Sequence, residues 1–441
     1  MKQEIKNRIK DINNGIVSIG YEKTEFGVFP CDWVKDKTFG DLFDFYGGLG
    51  KSREVLGEEG HAYLHYGDLH RGSFNVVSHE QYEHLPKYDV TLKGSETYLM
   101  EDGDVAFLDA SEDLEGTSRS VLIDNAENKP FIAGLHIIFG KSKDNSLEKW
   151  YKQYITATES IRKQFQRFAS GFKVYGVTRE TLPKIRIAYP KSTDEQSKIA
   201  EILMKWDEAI ELYNQQVEKL KQLKSIWLKK MFPQKGERVP EWRFKGFTDA
   251  WEQRKLGELS EKTYGGGTPS TANTEYWRGD IPWLQSSDII EGELFDVKPK
   301  KYISQLGLNN SAAQLVPANS VAIITRVGVG KLAFLPFSYT TSQDFLSMSR
   351  LTAEPYFTVY ACYKKLQSEL NSVQGTSIKG ITKDELLAKE IKVPSYEEQT
   401  KIGAYFRSLD NLITLHQCKV EKIKVQQKVL QKYLLNGIVR V

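Results

Sequence analysis

Cysteine is scarce in this sequence: Cys31, Cys362 and Cys418 are the only three, and none lies near another. There is no Cys-x-x-Cys and no Cys/His ligand spacing, so neither a structural zinc nor a disulfide framework is expected, and a reducing compartment is. Long apolar runs are also missing. None approaches the about 18 residues of a membrane helix, and the opening MKQEIKNRIKDINNGI lacks the apolar stretch of a secretory leader. A cytoplasmic protein with no signal peptide and no membrane contact is therefore expected. Charge of one sign is lacking as well: net charge is only +3 over 441 residues, so any basic surface has to be local.

Strings that carry catalysis are absent too. Gly47-Gly-Leu-Gly50-Lys51-Ser52 ends like a phosphate-binding loop, but Phe45 stands where the first glycine belongs. Asn128-Lys-Pro-Phe131 is one proline short of the N-P-P-F loop of methyltransferases, and no G-x-G cofactor loop accompanies it. No Pro-Asp…Glu-x-Lys nuclease cluster appears. Five of the seven histidines fall between 61 and 84, at spacings that fit no common metal-ligand pattern. The chain is expected to be non-catalytic and free of metal. What it does have is 40% hydrophobic and 27% charged residues, enough to fold as two or three globular domains.

The dominant stretch runs from Ser192 to Phe232. Apolar residues recur at Ile199, Leu203, Trp206, Ile210, Tyr213, Val217 and Leu220, then at Trp227 and Met231. Steps of four and three make a coiled-coil seam. Ser192 and Glu195 form an S-x-x-E capping box, and Pro233 stops the helix. At about 1.5 Å per residue such a helix is too long for the inside of one domain, so it reads as a spacer. Lys224 interrupts the seam, and it reads as a snorkelling lysine at a frayed register point rather than a register-setting residue.

The chain then starts again. FTDAW (247–251) echoes FPCDW (29–33), Tyr264-Gly-Gly echoes Tyr46-Gly-Gly, and GTSIKGITKDEL (375–386) echoes GFKVYGVTRETL (171–182). A second seam follows at Ile402, Phe406, Leu409, Ile413, His416, Val420, Ile423, Gln427, Leu430 and Leu434, each 203 residues after its partner. Even the polar break recurs, Gln427 matching Lys224. Cap, phase and break together establish an internal repeat. The expected segments are a first domain (1–190), a spacer helix (191–232), a linker (233–245), a second domain (246–394) and a second spacer helix (395–441). Each helix has an apolar stripe best buried against the other, antiparallel, which gives a pseudo-two-fold molecule of mixed α/β heads and two long helices.

Two heads on a two-fold spacer suit duplex DNA, whose half-sites repeat about every 34–36 Å. The heads differ where they would read bases, so the expected site is bipartite and asymmetric. A two-headed protein-interaction adaptor without DNA specificity is the alternative, separable by salt-dependent, sequence-selective binding.

At this level the sequence resembles the specificity subunit of type I restriction–modification systems. The resemblance spans essentially the whole chain and rests on VPEWRFKGFTDAWEQRKLGEL (239–259), GGGTPS (265–270), WRGDIPWLQSSDI (277–289) and the run from GTSIKGIT (375–382) to EEQTKI (397–402). The first half lacks the GTPS and GDIPW strings and keeps only the end of the pattern, GFKVYGVT (171–178) and DEQSKI (194–199). The resemblance implies two target recognition domains in DNA major grooves. It also implies helices that set their separation and hold two methyltransferase subunits, with two restriction subunits completing the complex. S-adenosylmethionine, ATP and Mg2+ then belong to those partners, and none to this chain.

Candidate DNA-contacting residues follow from side-chain chemistry. In the second head, Gly266 and Gly267 let backbone approach a phosphate, and Thr268, Ser270 and Thr271 can donate to it. Gln285 suits adenine and Asp288 cytosine, with Ser286 between them. Thr325, Arg326 and Lys331 flank a glycine turn, and Gln343 lies in a polar run. In the first head the polar stretch offers His65, Tyr66, His70, Arg71, Ser73 and Asn75. Lys51 and Arg53 lie beside its glycine loop. Ser118 and Arg119 stand between two strand-like runs, as Thr325 and Arg326 do. Lys173 and Lys379 near the ends of the heads suit phosphate.

Overall fold

The computed structural model describes residues 3–14, 16–71, 76–89, 96–111, 119–168, 175–372 and 380–441. The chain forms two compact units. One joins residues 1–212 to 420–441, and the other is the continuous stretch 213–419. The units do not follow the expected segments in chain order, because both long helices are divided between them.

Unit 1 is a mixed α/β domain. A five-stranded sheet has the order Phe43–Gly47, Ile137–Ser142, Val105–Leu108, Ser120–Ile123, Val76–Val77. A three-stranded sheet places His61–Leu64 between Phe131–Ala133, its parallel neighbour, and antiparallel Lys87–Tyr88. The run Val105–Leu108 is apolar throughout because both its faces are covered. Val105 and Phe107 pack with Phe39, Phe43 and Phe165, whereas Ala106 and Leu108 pack with Ala62, Leu64 and Phe131.

Unit 2 repeats the plan. A four-stranded sheet has the order Ser260–Gly265, Phe345–Leu351, Ser320–Ile324, Leu332–Leu335. A three-stranded sheet holds Ile281–Leu284 between antiparallel Lys301–Ile303 and parallel Thr340–Thr341. Val321 and Ile323 join the core with Phe357 and Tyr360, while Ala322 and Ile324 join Leu284 and Tyr339 on the other face.

The long helices run Thr193–Lys230 and Tyr396–Leu435. In unit 1, Ile199 and Leu203 share a core with Leu434 and Leu435, and Asp207 meets Gln427. In unit 2, Tyr213 meets His416, Lys224 meets Asp410 and Trp227 meets Tyr405. Within each unit the contacts climb one helix as they descend the other, so the segments pair antiparallel through the seam. Ile199, Leu203, Val217, Ile402, Phe406, Leu409, Ile413 and Val420 are all buried.

Two expectations about these helices need correcting. Lys224 does not snorkel: it is 8% exposed, and its Nζ lies 2.5 Å from Asp410 Oδ1. The capping boxes also differ from the sequence reading. Ser192 Oγ and Ser395 Oγ accept from the amides of Glu195 and Glu398, each at 3.4 Å. The glutamate carboxylates, however, are engaged by arginines: Arg440 holds Glu195, and Arg243 holds Glu398 at 2.7 and 2.8 Å. The next residue, Gln196 or Gln399, fixes each helix start to its own domain. Its amide donates to Pro190 O or Pro394 O, and its carbonyl accepts from the amide of Glu148 or Glu354.

Candidate nucleic-acid interface

In unit 2 the C-terminal ends of the parallel strands Ile281–Leu284 and Thr340–Thr341 emerge side by side, and Ser342 N donates to Leu284 O at 2.8 Å. Gln285 follows the first strand directly, and Gln343 follows the second after Ser342. The glycine loop packs against this edge: Gly267 N donates to Thr341 O at 2.8 Å, and the indole of Trp283 donates back to Gly267 O at 2.9 Å. Trp277 donates to Ser270 O at 3.2 Å. A Cβ at Gly266 would lie 1.8 Å from Ser342 O, and one at Gly267 would lie 2.2 Å from Ala312 C. These two glycines are required by packing inside the protein, a different reason from phosphate approach. Gly265 faces open space.

The exposed rim of this edge is polar. Thr268 donates to Gln343 Oε1 at 2.8 Å, Gln285 donates to Ser287 Oγ at 2.9 Å, and Lys301 Nζ reaches Gln285 Oε1 at 3.4 Å. Lys301 lies over the Trp277 and Trp283 rings, at 5.9 and 5.7 Å. It was missed in the sequence because it sits in the charge run KPKKY, which looks like an ordinary solvated face. Ser270 and Thr271 are exposed, and Ser286 is half-buried.

Two residues expected to reach bases are turned inward. Asp288 is buried, and its Oδ2 accepts from Gln285 N at 3.0 Å, which closes the turn that presents Gln285. Thr325 is buried and donates to Asp344 O at 3.0 Å. Arg326 remains exposed on the turn leading to Gly328 and Gly330, both at positive φ, and Lys331 is half-buried at the start of the returning strand.

Unit 1 carries the same frame in different residues. Tyr63 OH donates to Leu49 O, as the Trp283 indole does to Gly267 O. Leu49 N donates to Ala133 O at 2.8 Å, and a Cβ at Gly48 would lie 1.8 Å from Gly134 O. His65 N donates to Asp68 Oδ2 at 3.2 Å, matching Gln285 and Asp288. The amides of Asp109 and Val177 repeat those of Thr325 and Ile381: Asp109 N donates to His136 O, and Val177 N to Asp109 O. The stretch EGHAYLHYGDL (59–69) is thus the counterpart of the GDIPWLQSSDI region. This corrects the reading that the first half keeps only the end of the pattern.

The side chains on this frame differ. His65 is buried and accepts from Gly67 N through Nδ1 at 3.2 Å, and desolvation lowers its pKa, so it is held neutral within the loop. Tyr66 is exposed, its ring 4.5 Å from His65 and 5.4 Å from His136. His136 has a φ of 61° and pairs with Asp109 at 2.9 Å. Burial raises the Asp109 pKa against the opposing pull of His136. Arg53 pairs with Asp68 at 3.1 Å, and Lys51 Nζ lies 5.5 Å from the Tyr88 ring centroid. Arg119 is half-buried and its pKa is lowered by desolvation. Its carbonyl accepts from Leu108 N as that of Lys331 does from Ile324 N, so its counterpart is Lys331 and not Arg326. His70 and Arg71 lie in the helix Tyr66–Arg71. Ser73, Asn75, Ser118, Lys173 and Lys379 fall outside the described residues.

The type I restriction modification DNA specificity domain matches the chain twice, over residues 33–222 and 248–425. The chain belongs to this family. Members are the non-catalytic, DNA-recognising part of type I systems, and the two matches coincide with the repeated frame. A putative type I restriction enzyme specificity subunit of Methanocaldococcus jannaschii, MjaX, is 22% identical over 96% of this chain and 97% of its own length. The fold is shared with the S subunit of a type I system from M. genitalium, at 15% identity and TM-score 0.56 over 91% of this chain and 96% of that one. A chain from a structural study of complex assembly and conformational transition in the type I system matches at 17% identity and TM-score 0.58, covering 93% of this chain and 99% of that one. Among the described residues of this type I specificity chain, no helix is long and apolar enough to cross a membrane.

Proposed function

We propose that this chain reads a bipartite, asymmetric duplex site, with one half-site per recognition domain, and that the paired long helices set the spacing between halves. One observation supports the asymmetry above all. A single hydrogen-bonded frame carries Gln285, Thr268 and Gln343 in one domain and Tyr66 and His136 in the other. Glutamine amides can pair bidentately with adenine, whereas an exposed tyrosine and histidine offer stacking and single hydrogen bonds. Identical frames with unlike rims select unlike sequences.

The chain works with partners. Two methyltransferase subunits and two restriction subunits assemble on it in the cytoplasm, and they bind S-adenosylmethionine, ATP and Mg2+. The test is methylome sequencing of cells that carry this chain with its partner subunits. The expected motif has two unlike halves separated by a fixed unread spacer. A contiguous or perfectly palindromic motif overturns the reading.

A further inference from the structure

Both polar breaks in the apolar seam are filled in the same way. In unit 2, Lys224 Nζ lies 2.5 Å from Asp410 Oδ1, and Asp410 Oδ2 accepts from the Tyr360 hydroxyl at 2.6 Å. In unit 1, Gln427 Nε2 donates to Asp207 Oδ1 at 2.6 Å, and Asp207 Oδ2 accepts from the Tyr154 hydroxyl at 2.5 Å. Asp410 follows Asp207 by the same 203 residues that separate Gln427 from Lys224. Each carboxylate therefore bridges three bodies: its own helix, the opposite helix and the recognition domain. Tyr360 lies on the helix Pro355–Ser372 packed into the unit 2 core, and Tyr154 on the 3-10 turn Tyr151–Ala157 in unit 1.

The donors in these locks are out of water. Lys224 and Gln427 are each 8% exposed, and Tyr154 and Tyr360 are fully buried. A stripe of leucine and isoleucine tolerates sliding, because one apolar side chain substitutes for another. A buried lysine, glutamine or tyrosine hydroxyl does not. If the helices slip by a turn, the half-buried carboxylates leave their donors, and the buried lysine, glutamine and tyrosine groups lose partners that water replaces poorly. A polar group at a seam position is the device that fixes register in coiled coils, at a cost in stability.

We infer that Asp207 and Asp410 are positioning residues that lock the register of the long helices to each recognition domain and so fix the one half-site spacing the chain accepts. This rests on the proposed spacer role of the helices. The locks differ in charge, Lys–Asp in one unit and Gln–Asp in the other, so each is tested separately and both together.

The experiment uses the chain assembled with its methyltransferase subunits. Methylation rates are measured on duplexes whose half-sites stand at the native spacing or one base pair closer or farther. Lys224→Leu with Asp410→Leu and Tyr360→Phe, and Gln427→Leu with Asp207→Leu and Tyr154→Phe, replace each whole lock with apolar packing and leave no hydroxyl unpaired, a change that commonly leaves stability equal or higher. With both locks replaced, the expected result is unchanged thermal stability and unchanged half-site sequences. The preference for native over altered spacing should fall about tenfold, the scale of a coupled pair. A preference unchanged within about twofold, the scatter of independent sites, overturns the proposal. If the leucine variants do not fold, Asp207→Asn with Asp410→Asn keeps the shape and is judged by the same ratio. Deleting 210–216 together with 413–419 probes the spacer role itself. A shifted preferred spacing with inert lock variants removes the locks alone, whereas an unshifted spacing removes the spacer reading.

Discussion

Arg440 and Glu195 form a two-pronged ion pair in which the guanidinium also grips Asp32. Arg440 Nη2 lies 2.8 Å from Glu195 Oε2, and Nη1 and Nη2 lie 2.9 and 2.8 Å from the Asp32 oxygens. Around it, Tyr21 OH donates to Gly437 O at 2.5 Å, Arg8 donates to Ile438 O at 3.0 Å, and Ile438 is buried. The last residues of the chain are thus part of the first recognition domain. Arg440→Ala should cost that domain about 1–3 kcal/mol, since Glu195 is left buried and unpaired. Differential scanning calorimetry, with Arg243→Ala as the matched change in the other domain, checks this.

The same ion pair has a pH dependence of known sign. The bonds from Arg440 hold the Asp32 carboxyl below its ordinary range. A carboxylate whose folded pKa is depressed contributes stability above its unfolded value of about 4 and loses it as pH falls through the folded pKa. The stability gap between the natural chain and Arg440→Ala should therefore be constant near neutrality and shrink on acidification below that range. A gap that widens on acidification is the contrary result.

Asp104 behaves in the opposite sense. It is almost wholly buried, and desolvation raises its pKa to about 7, although its Oδ2 accepts from Glu101 N at 2.8 Å. A carboxyl raised in the folded state loses stability as pH climbs from the unfolded pKa of about 4 to the folded one. Asp104→Asn keeps the acceptor and removes the titration. It should raise the melting temperature at pH 8 and change it little at pH 4.

The glycine loop of the second domain separates packing from contact. Gly266→Ala has to displace either the loop or Ser342, at a cost of about 1–3 kcal/mol. It should weaken methylation of the second half-site about tenfold, the equivalent of that cost. Gly265→Ala meets no atom within 4 Å and should be silent. Single-turnover methylation of the two variants, with the first half-site held constant, makes the comparison.

On the rim, Gln285→Ala and Lys301→Ala should fail differently. In the proposed reading the Gln285 amide pairs bidentately with a base, so its loss costs about 1–3 kcal/mol and relaxes the preference at one base pair. In the proposed reading Lys301 meets phosphate, so its loss weakens all sequences alike and lowers the salt slope by about one. Binding titrations over a series of salt concentrations distinguish them.

The long helices were legible because a four–three apolar rhythm needs no partner to be seen. The internal repeat was legible wherever it is written in the same letters, as in Tyr46-Gly-Gly and Tyr264-Gly-Gly. It faded where the frame is kept by equivalent hydrogen bonds from different residues, with Tyr63 doing in one domain what Trp283 does in the other. Lys224 was misread because its partner, Asp410, lies 186 residues away. Asp288 and Thr325 look like reading residues by type and spacing, and only burial shows that they hold the loops instead.

The division of the chain also sets an order of manufacture. Residues 213–419 are continuous and hold a core of their own, so that unit can close without the segment that follows it. The first unit waits for Leu434, Leu435 and Arg440. The domain translated first is therefore the one completed last, and a ribosome that stalls after residue 419 releases a molecule with one finished reader.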